Sequence, residues 1–336
     1  MGITLSLIKQ YTIHNIKHRQ GILVLYALFW CFFSLTFTPH AMTKTFSTGK
    51  VDFTVKVRDF LSSYQILGIY LLPRETLKFT ILSSHHSTSF QIFALAGTVT
   101  LETDIDFSYQ APSAPGIYTL ALCPPEGLEM VFNVFVMVPY DEVKGEYIEG
   151  YRIGEYPVSF CKGKRQYHTP KGFIRVTEEN QNVLVSPHFR LQQFLCKQEG
   201  SFPKYMVLQE KLLLKLEVIL ERINQEGYHA STLHILSGYR TPYYNNAIGN
   251  VNYSQHQYGY AADIFIDENP VDGIMDDLNH DSVINYRDAL IMYNIIDALF
   301  ASDHYTPYRG GLGIYKKSLY HGPFVHVDVR GYSVRW

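Results

Sequence analysis

Cysteine is scarce. The chain has four in 336 residues, and no two of them form a Cys-x-x-Cys pair. That excludes a structural zinc site built on thiolates. Cys31 falls in an apolar N-terminal segment, so Cys123, Cys161 and Cys196 would form at most one intramolecular disulfide in an exported chain. Long basic runs are missing too. With 29 Lys and Arg against 31 Asp and Glu, the formal net charge is −2, and nothing offers nucleic acid a footprint. Charged residues make up only 18% and apolar residues 46%, which excludes a disordered chain and fills a normal core. Aromatics are plentiful at 15%, with 26 tyrosines. Tyrosine joins an apolar body to a polar tip, which suits both β-rich domains and clefts for polar polymers. The length is enough for two domains.

The first twenty or so residues carry Lys9, Lys17 and Arg19 and no acid, and Gly21 to Phe37 then has no charge at all. A basic flank followed by an apolar run reads as a signal peptide or as an N-in membrane anchor. The run is at the lower length limit for spanning a bilayer. A cut after Ala41 would leave Pro39 where a small residue is preferred, so both readings stay open. Either one makes residues 1–42 an apolar helical segment. Either one also places the rest of the chain in the periplasm or cell envelope, attached to the inner membrane if uncut.

Residues 43–140 alternate apolar and polar positions in short runs: Val51–Val57, Thr76–Leu82, Phe90–Thr100, Gly116–Cys123 and Met130–Val138. Turn-forming stretches at Ala111–Pro115 and Pro124–Gly127 separate the later ones. Such spacing predicts an all-β sandwich, and Ala114–Leu120 resembles a strand entry of immunoglobulin-like bacterial modules. The His85–His86 pair reads as a solvated loop. Residues 141–204 form a connecting segment, within which Phe189, Leu191 and Phe194 are placed to pack on the domain that follows. His188, with no companion ligand, reads as structural.

The chemistry concentrates in residues 205–336. Leu208, Leu212, Leu216, Ile219, Leu220 and Ile223 recur at helical spacing until Gly227 ends the pattern, predicting a long helix with one buried face. Leu233–Ser237 then reads as a buried strand, which places Arg240 in the loop at its end, where a guanidinium grips a carboxylate by two parallel bonds. Next come His256 in a loop and Asp263 at a strand start, with small Gly259, Ala261 and Ala262 between them. In Phe324–Val329 the alternation puts His326 and Asp328 on one face and Val325, Val327 and Val329 on the other. Two His and one Asp form the ligand set of a catalytic zinc site with a fourth position open.

The chain from about Val185 to Trp336 resembles the zinc peptidases of the D-Ala-D-Ala carboxypeptidase and murein endopeptidase group, which share their fold with the hedgehog signalling domain. The resemblance rests on Ser237-Gly-Tyr-Arg-Thr-Pro, Asn245, Ser254-x-His256-x-x-Gly259-x-Ala261-x-Asp263, Gly310–Tyr315, Phe324–Asp328 and the closing Arg335-Trp336. It implies a small α+β domain with a central antiparallel sheet. It also implies zinc on His256, Asp263 and His326, substrate held by Arg240 and Ser254, and peptidoglycan peptides as substrate. Many members carry an acidic base three residues before the last ligand, where this chain has Pro323. His321 is the favoured proton handler instead, with Asp328 as its alternative or partner. A non-catalytic peptidoglycan-binding protein with a vestigial zinc site is the rival reading.

Between the two ligand segments, Asp277, Asn279, Asp281 and Asp288 stand at positions 1, 3, 5 and 12 of an EF-hand-like calcium pattern. Ser282 replaces the usual glycine, and Asp288 is shorter than the usual Glu. Calcium is therefore a second expected ion, against the plainer reading of an acidic loop capping a helix at 286–300.

Overall fold

The computed structural model describes residues 46–82, 90–157 and 168–336. The N-terminal apolar segment, Cys31, Cys161 and the His85–His86 pair lie outside them. Cys123 and Cys196 are both free. No helix among the described residues is long and apolar enough to cross a membrane.

Nine strands open the described chain: β1 Lys50–Val57, β2 Phe60–Tyr64, β3 Ile66–Leu71, β4 Thr76–Leu82, β5 Gln91–Ala94, β6 Thr98–Leu101, β7 Asp106–Gln110, β8 Gly116–Cys123 and β9 Met130–Val136. They form two sheets, ordered β2-β1-β4-β7-β6 and β3-β9-β8-β5. In β1 and β4 alternate residues turn inward, Val51, Phe53, Val55 and Val57 from one and Leu77, Phe79 and Ile81 from the other. Phe79 meets Phe132 of the opposite sheet with ring centroids 5.1 Å apart, which makes the pair a sandwich. The run expected as one strand over Phe90–Thr100 is two, β5 and β6, in different sheets, and Gly97 at φ +84° makes the corner between them.

The described residues pack as one compact unit. The connecting segment is structured: Gly172–Val176 pairs with both Val138–Pro139 and Lys204–Met206, so one small sheet runs from the end of the sandwich into the following domain. Phe189, Leu191 and Phe194 are fully buried.

Helix α1, Glu210–Gln225, sits at the junction. It starts two residues after Leu208, the first position of its periodic pattern, because the strand ending at Met206 precedes it. Gly227 closes it at φ +92°, with the Tyr228 N–H on the Ile223 carbonyl at 3.2 Å. The expected single buried face proves too narrow. Leu213, Leu214, Lys215 and Glu217 are buried as well. The cause is packing from two sides: Glu210 binds Arg58, and Glu221 takes Lys50 and the Tyr64 hydroxyl at 2.7 and 2.8 Å, all from the sandwich. On the other side Lys215 reaches the Asp328 carbonyl at 2.8 Å.

The second domain is a five-stranded sheet ordered His234–Ser237, Ala261–Phe265, Phe324–Asp328, Gly311–Tyr315, Val334–Arg335. All pairings are antiparallel except the last. After the short helix α2, Pro242–Ala247, helix α3, Tyr286–Phe300, packs on the sheet together with α1 and starts on the Asn285 cap. The architecture is mixed α and β with mostly antiparallel sheets and few helices.

Candidate metal centre

Register builds this site. Asp263 lies directly opposite His326 across the two central strands, and Ser237 lies opposite Asp263 on the other side. His256 arrives from outside the sheet, in the short 3-10 turn Gln255–Tyr258. That turn ends at Gly259, whose φ is +68°. A Cβ there would stand 2.5 Å from the Val207 carbonyl oxygen, so only glycine permits the approach that delivers His256.

The three side chains converge. His326 Nδ1 is 2.8 Å from Asp263 Oδ1, and His256 Nε2 is 3.3 Å from both. One ligand atom from each lies within 4.8 Å of the others, and all three residues are buried. It is the only such group among the described residues. Each ligand is also oriented from behind. His256 Nδ1 donates to the Gly238 carbonyl at 2.7 Å, leaving Nε2 free to coordinate. Asp263 Oδ2 accepts Arg240 Nη2 at 2.6 Å, and Arg240 Nε is held by Ser237 Oγ at 2.8 Å. His326 Nε2 faces Asp328 Oδ2 at 3.3 Å. These supports fix ring orientation and ligand basicity, as outer partners of metal ligands do.

Electrostatics follow from burial and pairing. Desolvation pushes His256 below the ordinary imidazole value. Desolvation acts the same way on His326, but hydrogen bonds to Asp263 and Asp328 outweigh it and raise that ring. Burial would raise Asp263 and Asp328, yet their histidine partners, joined at Asp328 by Arg330, hold both carboxyls well below the usual range. The site is thus an ionised aspartate between two imidazoles, a donor set that fits a zinc ion with an open fourth position.

Above it lies a cleft of about 960 Å³. Arg240, Ser254 and His321 line it with the three candidate ligands, and Tyr244, Tyr253, Tyr315 and Phe324 add aromatic walls. Ser254 is buried just before the His256 turn, its carbonyl accepting the Gln257 N–H at 3.1 Å. His321 Nδ1 sits 2.7 Å from the Gly322 carbonyl, so in the neutral ring Nε2 keeps its lone pair. Asp328 is fully buried and does not line the cleft. It stands behind His326, taking N–H bonds from Gly311 at 2.7 Å and from Arg330 Nε at 2.8 Å, so its carboxylate faces these donors and not the cleft.

Residues 187–287 match the family model of Peptidase M15. The match takes in Arg240, His256 and Asp263 and ends before His326. M15 peptidases are zinc-dependent, and the match together with the His–Asp–His group supports a metallopeptidase. No curated protein matches the chain. Among solved structures, domains 4 and 5 of the S-layer protein SbsC align over 26% of this chain at 13% identity, with a TM-score of 0.18. The chain spans about half (54%) of that structure, and the likeness is too slight to bear on fold or function.

The calcium expectation is not supported. Asp288 is fully buried and accepts the N–H groups of Leu278 at 2.9 Å and Asn285 at 2.8 Å, serving as the capping box of α3. Asp277 accepts the Ser282 N–H at 2.7 Å, and Asp281 the Val283 N–H at 2.9 Å. The acids spend their oxygens on their own loop, so the plainer capping reading holds.

Sequence reasoning missed several parts of the site. Arg330, which anchors Asp328, sits two residues beyond it, and only the fold turns its guanidinium back. The Trp336 ring lies 5.2 Å from the His326 ring and donates from Nε1 to the Tyr315 hydroxyl at 2.8 Å. Gly313 leaves room for it, since a Cβ there would stand 2.4 Å from the indole. Glycine alternating in Gly311–Tyr315 was the available signal for a ring packed across that strand.

Proposed function

We propose that this chain is a zinc-dependent peptidase that hydrolyses peptide bonds in peptidoglycan stem peptides or their cross-links, and that it works in the periplasm or cell envelope. The observation that carries the reading is the convergence of His256, Asp263 and His326 at the base of an open, aromatic-walled cleft. The basic and apolar N-terminal sequence supports the location, as either a cleaved signal or an uncut membrane anchor.

In this reading His256 Nε2, Asp263 Oδ1 and His326 Nδ1 hold the ion. A zinc ion there supplies Lewis-acid polarisation of a peptide carbonyl and acidifies a water at neutral pH. The remaining work belongs to side chains. Arg240 holds Asp263 in place. Ser254 and the tyrosine walls contact the peptide. His321, whose Nε2 is left as an acceptor by the Gly322 contact, takes and returns the proton that an acid at position 323 would otherwise handle.

A second reading has its own observation. Asp263 is the only acidic side chain among the described residues that line the cleft. Without an acidic base the same site would bind peptidoglycan and leave it intact. One experiment separates the two. Purified peptidoglycan is incubated with the protein, with His256→Ala and with a chelator, and released amines and muropeptides are counted. Hydrolysis by the parent that disappears with the variant and the chelator supports the peptidase. Equal release in all three sinks the metal mechanism, and binding without release favours the second reading.

A further inference from the structure

The chain just before α1 contributes a cation to the cleft that its sequence did not announce. Phe194 is pressed against the Ser237–Arg240 turn: its carbonyl accepts the Tyr239 N–H at 2.8 Å, and a Cβ on Gly238 would stand 2.6 Å from the Phe194 Cα. Residues 195–198 therefore run beside Arg240 and Thr241. In this extended stretch Cys196 and Gln198 turn inward and are buried. Gln198 is pinned there, with Oε1 accepting Thr241 Oγ1 at 2.5 Å and Nε2 donating to the Arg152 carbonyl at 3.0 Å. Alternation then sends Lys197 the other way, exposed, into the wall of the cleft that holds Arg240, His256, Asp263 and His326.

Among the described residues Lys197 has no hydrogen-bond or ion-pair partner. Of the other cations that line the cleft, Arg330 is bound to Asp328 and Arg240 is already committed. Its Nε–Nη2 edge is spent on Ser237 Oγ and Asp263 Oδ2. A bidentate grip on an incoming carboxylate along that edge would have to break the support of a metal ligand. The Lys197 ammonium has all three donors to give. It also sits where a second positive charge is otherwise unfavourable: desolvation and the neighbouring Arg240 lower its affinity for a proton, against the opposing pull of Asp263. A free cation held beside another cation is matched when an anion arrives.

We infer that Lys197 is the specificity-determining cation of the cleft: it binds a free carboxylate of the substrate peptide, while Arg240 positions Asp263. The inference rests on the peptidase reading for the substrate class, but not on turnover. A charge-assisted hydrogen bond in a half-desolvated cleft corresponds to roughly ten- to a hundredfold in affinity. The test uses stem peptides from purified peptidoglycan in two forms, with carboxylates free or converted to amides. Binding to the zinc-loaded and to the chelator-treated protein is measured by calorimetry, and hydrolysis is followed alongside. The parent should prefer the acid form by roughly tenfold or more. Lys197→Met should bring that ratio close to one with zinc content at the parental level, and Lys197→Arg should restore most of it. The loss should fall on KM more than on kcat. A parent that binds both forms equally, or binds neither, overturns the inference, as does a Lys197→Met protein that keeps the parental ratio. If the parent prefers the acid form but releases nothing, the peptidase reading fails while the role of Lys197 stands.

Discussion

Replacing Asp328 by asparagine tests whether the candidate metal site depends on a residue that does not line the cleft. The change keeps the shape and removes the charge. Oδ1 of Asp328 faces the Gly311 and Arg330 backbone N–H groups at 2.7 and 3.0 Å, and Oδ2 faces His326 Nε2 at 3.3 Å and the Arg330 guanidinium. Every neighbour is a donor. Whichever way the new amide is turned, its NH2 meets N–H groups, and Arg330 loses its counter-charge. Breaking one partner out of a buried ion pair costs about 3–5 kcal/mol, and that loss should appear in urea unfolding of the metal-free protein. Losing the carboxylate behind a ligating histidine weakens metal binding by about ten- to a hundredfold. At fixed free zinc that removes about 1.4–2.8 kcal/mol of metal-dependent stabilisation. Competition with a chromophoric chelator reads the affinity, and unfolding with and without zinc reads the linked stability. An Asp328→Asn protein with the parental zinc affinity and unfolding midpoint would refute the argument.

The other predictions test the packing around the site. Lys215 is buried, and desolvation lowers it to about 7, so the unfolded chain binds the extra proton between about 7 and 10.5 and stability from this group rises with pH across that window. Lys215→Met should therefore gain most over the parent at pH 7 and below, with the gain shrinking by at most about 1.4 kcal/mol per pH unit toward pH 10; a difference flat with pH would count against a charged Lys215 in the core. Gly313→Ala would drive a Cβ to 2.4 Å from the Trp336 indole, so Trp336 fluorescence should shift to the red and Tyr315 should lose its hydrogen bond, whereas an unchanged spectrum would show that the ring does not lie across this strand.

Much of the site was legible because its chemistry is local. The His256 turn ends on a glycine, Asp263 lies in a short strand, though that strand begins at Ala261 rather than at Asp263 as its sequence suggests, and strict alternation puts His326 and Asp328 on one face; backbone geometry makes most of this readable from a few neighbouring residues. The Asn285–Asp288 capping box is equally local, but the spacing of Asp277, Asn279 and Asp281 read as cation ligands, because sequence cannot say whether an oxygen faces an ion or a backbone N–H. Tertiary structure decided everything that depends on register and on what lies behind a residue. The pairing of Asp263 with His326 is a cross-strand fact, set by which edges of the sheet meet. Helix α1 shows one apolar stripe in sequence and is buried on two sides, because the sandwich and the second sheet both pack on it. Asp328 shares a face with His326 in sequence, but only the fold closes Arg330 and Gly311 around it and takes it out of the cleft. Lys197 carries no pattern of its own: a lysine between two ordinary residues becomes a site residue only when Cys196 and Gln198 are buried and the chain is pressed along the Arg240 turn. Local backbone preference therefore named the candidate ligands, and long-range packing decided which charges line the cleft.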